Sequence, residues 1–168
     1  MSIHYFYNFR EDLVKGLNDF YKDEIKNMLE EKKEIEQLDH SEELIRKYFK
    51  VLKKELEDVI EATNGDVFLI EGEEGSSEIV HFKILGNYIK FKRAEKSIEV
   101  RIGYYVKEND MIESKILCYI VPGDKKAKVK RIGKAADGSS FDDGAINHYL
   151  REAFGDLYDK YKETKDGE

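Results

Sequence analysis

A chain of 168 residues, 40% hydrophobic and 39% charged, can bury a sizeable core without disulfides or metal, and its 11 Tyr and 9 Phe exclude disorder throughout. The net charge of −7 argues against unaided binding to DNA or an anionic membrane, and a single cysteine, Cys118, excludes an intrachain disulfide framework or a cysteine zinc site. Charge changes sign twice: residues 1–65 carry 11 Lys/Arg against 16 Asp/Glu, residues 66–134 carry 14 against 11, and residues 135–168 carry 4 against 9.

The first residues, Met1–Phe6, lack a basic flank followed by an apolar run, so no signal peptide is expected. No apolar stretch approaches the roughly 20 residues of a membrane helix, and the expected compartment is the cytoplasm, with no membrane partner. Abundant Lys, Ile, Tyr and Phe with one Pro and no Trp fit an AT-rich genome (a low-GC bacterium, its phage or a mobile element) or the charged surface of a thermophile.

In chain order, His4–Tyr7 reads as a short aromatic arm. Asn8 and Glu11 then have capping-box spacing, and Leu13, Leu17, Phe20, Tyr21, Ile25, Met28, Leu29, Ile35 and Leu38 recur with helical period, predicting a helix from Asn8 to Leu38. Asp39-His40-Ser41-Glu42 is a second start signal, followed by the stripe Leu44, Ile45, Tyr48, Phe49, Leu52, Leu56, Val59 and Ile60, which Asn64-Gly65 ends. The segment 8–63 is thus expected to be an αα-hairpin with a tight turn near residue 40.

From residue 66 to 132 the period drops to two. Strands are expected at Val67–Glu71, Glu78–Leu85, Tyr88–Arg93, Ile98–Lys107, Ile112–Val121 and Ala127–Ile132. Gly86-Asn87 reads as a two-residue hairpin turn, and the other connections are also short. Connections this short force antiparallel neighbours, so the middle of the chain is a meander of five or six strands. A final helix is expected over 141–162, capped by Ser140 or Asp142. The fold class is therefore α+β in one domain: a helical hairpin, an antiparallel sheet and a C-terminal helix, with the helices on one face of the sheet.

Alternation assigns Val80, Phe82, Ile84, Ile89, Phe91, Ile98, Val100, Ile102, Tyr104, Ile112, Ile116, Cys118 and Ile120 to the helix-facing side. The opposite side collects His81, Lys83, Tyr88, Lys90, Lys92, Arg101, Tyr105, Lys115, Tyr119, Lys128 and Lys130, interrupted by Glu99 and Glu113. Cations interleaved with tyrosines suit an anion or nucleic-acid platform. A solvated face of a one-sided sheet, with Lys stems lying over the backbone, has the same composition.

Other candidate chemistry is thinner. His148 and Glu152 at i, i+4, near Asp142 and Asp143, form a candidate metal or acid–base set, though acidic residues at a helix start also answer the helix dipole. The run Asp137–Gly144 has the composition of a calcium loop, but Phe141 and His148 stand where oxygen ligands are required. Gly133-Lys134 lacks the rest of a phosphate-binding loop. Cys118 lies among apolar strand positions and reads as a small core residue. No cofactor is implied and no catalytic arrangement is recognisable.

The sequence therefore points first to a small cytoplasmic, non-enzymatic binding protein, such as a phage or mobile-element inhibitor that sequesters a host macromolecule, its partner another protein. The second reading is a nucleotide- or RNA-binding protein using the basic, Tyr-bearing face. The third is a metal-dependent hydrolase built on Asp142, Asp143, His148 and Glu152. A homodimer is compatible with each.

Overall fold

A computed structural model describes residues 3–132 and 138–166, with backbone alone for 3–7 and 165–166. The elements are α1 (Ile3–Phe20), α2 (Lys22–Glu55), α3 (Glu57–Thr63), β1 (Val67–Glu71), β2 (Glu78–Ile84), β3 (Asn87–Arg93), β4 (Ile98–Val106), β5 (Met111–Val121), β6 (Lys128–Arg131) and α4 (Asp143–Asp166). The chain divides into two compact units, Met1–Glu36 and Gln37–Glu168. The class is α+β, as the change of hydrophobic period requires.

The first unit is helical. Hydrogen bonds from the Tyr21 amide to the Leu17 carbonyl and from Ile25 to Tyr21 carry the helical pattern across the joint between α1 and α2. Two expectations are corrected here. His4–Tyr7 is not an arm but the first turns of α1. Nothing in that run breaks a helix, so Asn8 lies inside α1 and does not cap it.

The stop and restart expected at Asp39–Glu42 is also absent. The helix α2 runs from Lys22 to Glu55, and the helical hairpin with a turn near residue 40 gives way to three successive helices. Burial explains the outcome. Leu38, Ser41, Ile45 and Phe49 are all buried, at the three- and four-residue spacing of one helix face. The Ser41 hydroxyl bonds back to the Gln37 carbonyl at 3.0 Å instead of capping a new helix. Asn64 (φ 49°, ψ 47°) then ends α3 in the left-handed conformation, as expected of Asn-Gly.

The second unit is built on one six-stranded sheet, ordered β1-β2-β3-β4-β5-β6 with every neighbouring pair antiparallel. The core lies between one face of this sheet and the helices α2 and α4. Phe49 of α2 meets Phe91 and Phe82 at centroid distances of 5.4 and 6.2 Å. From α4, Phe154 packs 5.0 Å from Phe82, and Tyr149 packs 6.3 Å from Phe91.

Polar ties fix the register of α2 on the sheet. The Gln37 side chain accepts from the Gly123 amide at 2.9 Å and donates to the Gly123 carbonyl at 3.0 Å. Arg93 reaches Asp39 at 3.1 Å, and Arg46 donates to the Gly72 carbonyl at 2.7 Å. A β-carbon at Gly123 would lie 2.2 Å from the Lys126 carbonyl oxygen, so only glycine fits that turn.

The β2–β3 turn is corrected by one residue. Ile84 pairs with Asn87, leaving Leu85 and Gly86 as the turn, with Leu85 at φ 55°. Asn87 is buried and donates to the Ala153 carbonyl of α4 at 3.0 Å, so its side chain is committed to the core. That bond places Asn87 in the strand and shifts the strain to Leu85.

One irregularity governs which side chains face outward. Val100 pairs with Cys118, but Arg101 pairs with Ile116, so Leu117 is an extra residue on β5. A bulge resets the alternation of every residue beyond it. Ile112 and Ile116, expected on the helix side, pair with Tyr105 and Arg101 and lie on the open side. Lys115, expected on the open side, pairs instead with Ile102, its ammonium 4.9 Å from the Tyr104 ring centroid. Glu113 likewise joins Tyr104, whose hydroxyl donates to it at 3.3 Å.

Chemical denaturation checks both points. Phe49→Ala should cost about 3–5 kcal/mol, because it empties the centre of the aromatic cluster. Ile112→Ser should stay within about 0.5 kcal/mol, as a substitution on the open face does.

Candidate ligand-binding face of the sheet

The face turned away from α2 and α4 is organised in rows by strand register. Ile70, His81, Lys90, Arg101 and Ile116 succeed one another across β1 to β5. The central three set cationic or titratable groups on neighbouring strands, about 5 Å apart. The next row is Phe68, Lys83, Tyr88, Gly103 and Ser114. On the other side lie Lys92, Glu99, Tyr119 and Lys130. Lys128 stands two residues from Lys130 on β6, hence on the same side.

Aromatic contacts knit the two central rows together. The His81 ring meets Phe68 at 5.0 Å and Tyr88 at 5.8 Å, both edge-on. Lys90 Nζ lies 5.1 Å from the Tyr88 centroid, a cation–π distance. The Tyr88 hydroxyl donates to Ser114 Oγ at 2.6 Å. A β-carbon on Gly103 would come within 2.2 Å of the Tyr88 ring, so the ring lies across the strand in the space that glycine leaves. A pinned aromatic ring beside cations is a surface on which a planar group can stack.

Glu78 and Glu99 temper the positive charge. Glu78 lies 3.7 Å from His81 Nδ1, and Glu99 lies 3.7 Å from Arg101 Nε. The His81 pKa is nevertheless lowered from 6.5. Burial is the main cause and the Lys90 and Lys83 charges add to it, while Glu78 opposes them. At neutral pH His81 is therefore an uncharged ring between two lysines.

Of the residues singled out from sequence, the fold gathers His81, Lys83, Tyr88, Lys90, Lys92, Arg101 and Tyr119 on this face. Tyr105 lies toward the end of the β4–β5 hairpin, its hydroxyl donating to Asp110 at 2.6 Å and Lys160 Nζ 4.9 Å from its centroid. The hydrogen bond to Asp110 holds that hydroxyl proton more tightly than usual. Lys115 is on the other side, because the bulge at Leu117 pairs it with Ile102. Residues missed by the sequence reading are Phe68, Ile70, Ser114 and Ile116. The alternation of β1 could have found the first two. The last two required the bulge.

The candidate metal set is dispersed into structural roles. Asp142 caps α4, its carboxylate accepting from the Ala145 amide at 3.1 Å. His148 Nε2 lies 3.4 Å from Glu152 as an i, i+4 pair. Asp143 lines a groove of about 540 Å³ with His40, Lys47, Tyr48, Val51 and Glu55, between α2 and the start of α4. Among the described residues, no three His, Cys, Asp or Glu side chains are grouped to hold a metal ion. Asp137 and Gly133-Lys134 lie outside the described residues. Cys118 is buried, and burial pushes its thiol up to about 11, so it is no nucleophile at neutral pH.

No protein-family model, no curated protein and no solved structure matches this chain. Among the described residues, no helix is long and apolar enough to cross a membrane.

His81 gives a pH test with a definite sign. Its folded-state pKa lies below the unfolded 6.5, so the unfolded chain binds the proton more readily. Its contribution to stability is complete above pH 6.5 and lost as pH falls through the folded value. Urea midpoints for the wild type and His81→Gln should converge as pH falls below 6.5.

Proposed function

We propose that this chain is a non-enzymatic binding protein and that its ligand, a single-stranded nucleic acid, lies across the open face of the sheet. One observation carries the reading: His81, Lys90 and Arg101 stand in register on three adjacent strands, with Tyr88 pinned beside them. Lys83, Lys90, Lys92, Arg101, Lys128 and Lys130 would meet phosphates, and Tyr88 and Tyr119 would stack on bases. The acidic residues of segments 1–65 and 135–168 account for the net charge of −7. Phosphates are drawn by local potential, not by net charge. An extended strand suits an open sheet better than a duplex does, because its bases are free to stack.

A second reading is an acidic protein segment, favoured by Ile70 and Ile116 at the two ends of the cationic row. Apolar side chains flanking charge are the composition of a protein interface. Either ligand would be held and not transformed, which is the action of a sequestering factor or inhibitor.

Fluorescence anisotropy with labelled single-stranded RNA and DNA oligomers separates the two. Affinity should fall with rising salt and weaken more than about tenfold in Lys90→Glu/Lys92→Glu/Arg101→Glu. Tyr88→Ala should weaken it by roughly 5- to 100-fold, the worth of one stacked base. Binding should strengthen as pH falls below 6.5, because phosphate favours protonated His81. Absence of binding to every oligomer, or binding indifferent to the triple reversal, rejects the nucleic-acid reading.

A further inference from the structure

The helices of the first unit carry an exposed apolar stripe. Phe9, Leu13, Val14, Leu17, Phe20, Tyr21, Met28, Leu29 and Ile35 are between 46% and 77% exposed. Within the stripe, Val14, Tyr21, Met28 and Ile35 recur every seven residues, with Leu17 and Ile25 between them. A seven-residue repeat keeps one seam turned toward a partner helix as two helices coil around each other. Nine large side chains, each about half open, supply on the order of the ~800 Å² per partner that a stable interface buries.

Charge within the stripe decides which partner helix fits. Arg10 lies three and four residues before Leu13 and Val14, and Glu31 lies three after Met28 and four before Ile35, so both sit on the seam. Glu24 lies there too, seven after Leu17. A parallel copy in register would set Arg10 on Arg10, Glu24 on Glu24 and Glu31 on Glu31. An antiparallel copy crossing between Phe20 and Tyr21 sets Arg10 against Glu31, and Leu13 against Met28, at both ends of the contact. Glu24 then faces Leu17 instead of its own copy, so it is the charges at the two ends of the stripe that are complementary to their own reverse.

We propose that a second copy of this chain covers the stripe, with the two helices antiparallel and crossing at Phe20 and Tyr21. The dimer places the same apolar and charged pairs on either side of a two-fold axis, as a closed pair requires. This inference is independent of the ligand proposed for the sheet face.

Sedimentation equilibrium of the full chain should give twice the 19.7 kDa chain mass at micromolar concentration. Leu17→Glu and Phe20→Glu should each raise the dimer dissociation constant by roughly 30-fold or more, with unchanged circular dichroism, because each forces a charge into the seam. Cysteine pairing reads the direction. A mixture of Arg10→Cys and Glu31→Cys chains should cross-link under mild oxidation, while neither variant should do so alone, the buried Cys118 staying out of reach. A monomer at all concentrations overturns the proposal, as does a dimer that survives both glutamate variants. Cross-linking of Arg10→Cys with itself overturns the antiparallel arrangement.

Discussion

Everything in the second unit depends on the burial of one face of the sheet beneath α2 and α4. The aromatic cluster of Phe49, Phe82, Phe91, Tyr149 and Phe154 is the centre of that contact. Buried aromatics each remove a large apolar area from water and interlock in a few preferred geometries. Once they are seated, each strand has an inner and an outer face, and every residue of the meander is assigned to one or the other. The polar ties Gln37–Gly123, Arg93–Asp39 and Asn87–Ala153 then select one register for the helices on that surface. The open face is the complement of the core.

That complement gives the charge asymmetry of the chain a physical location. Acidic residues belong to the helical segments, where caps and solvated faces accommodate them. Burying a charge is costly, so most basic residues of the strands fall on the outward side, Arg93 and Lys115 being exceptions. Crowding follows, and it is visible in His81, which holds its proton less readily because it is partly buried and stands between Lys83 and Lys90. A ligand carrying negative charge would relieve this crowding. That electrostatic relief supports the ligand site proposed on this face.

The cap-like residues at positions 39 to 42 show where local signals give way. Asp, Ser and Glu there satisfy every local preference of a helix start, yet α2 passes straight through them. Its driving force is the buried row Leu38, Ser41, Ile45 and Phe49, which a break would scatter. Burying several large side chains outweighs one capping interaction of about 1 kcal/mol. Gly86-Asn87 lost its turn position in the same way, to the bond between Asn87 and Ala153.

Local chemistry was sufficient wherever the pattern was long and uninterrupted. The order of elements, the antiparallel meander, the Asn64-Gly65 stop, the inner faces of β2 and β3 and the cationic side chains of β3 were legible in the sequence. Short connections and a two-residue period over residues 80–84 and 87–93 admit few alternatives there. The extra residue at Leu117 was not legible, because a bulge leaves no mark in an apolar run such as Ile116-Leu117-Cys118. Only the pairing of β4 with β5 reveals it. That one residue exchanged Lys115 for Ile112 and Ile116 on the open face. The sequence by itself determined which residues could be outside, and the tertiary structure decided which of them stand together, because strand register is a property of two segments and not of one.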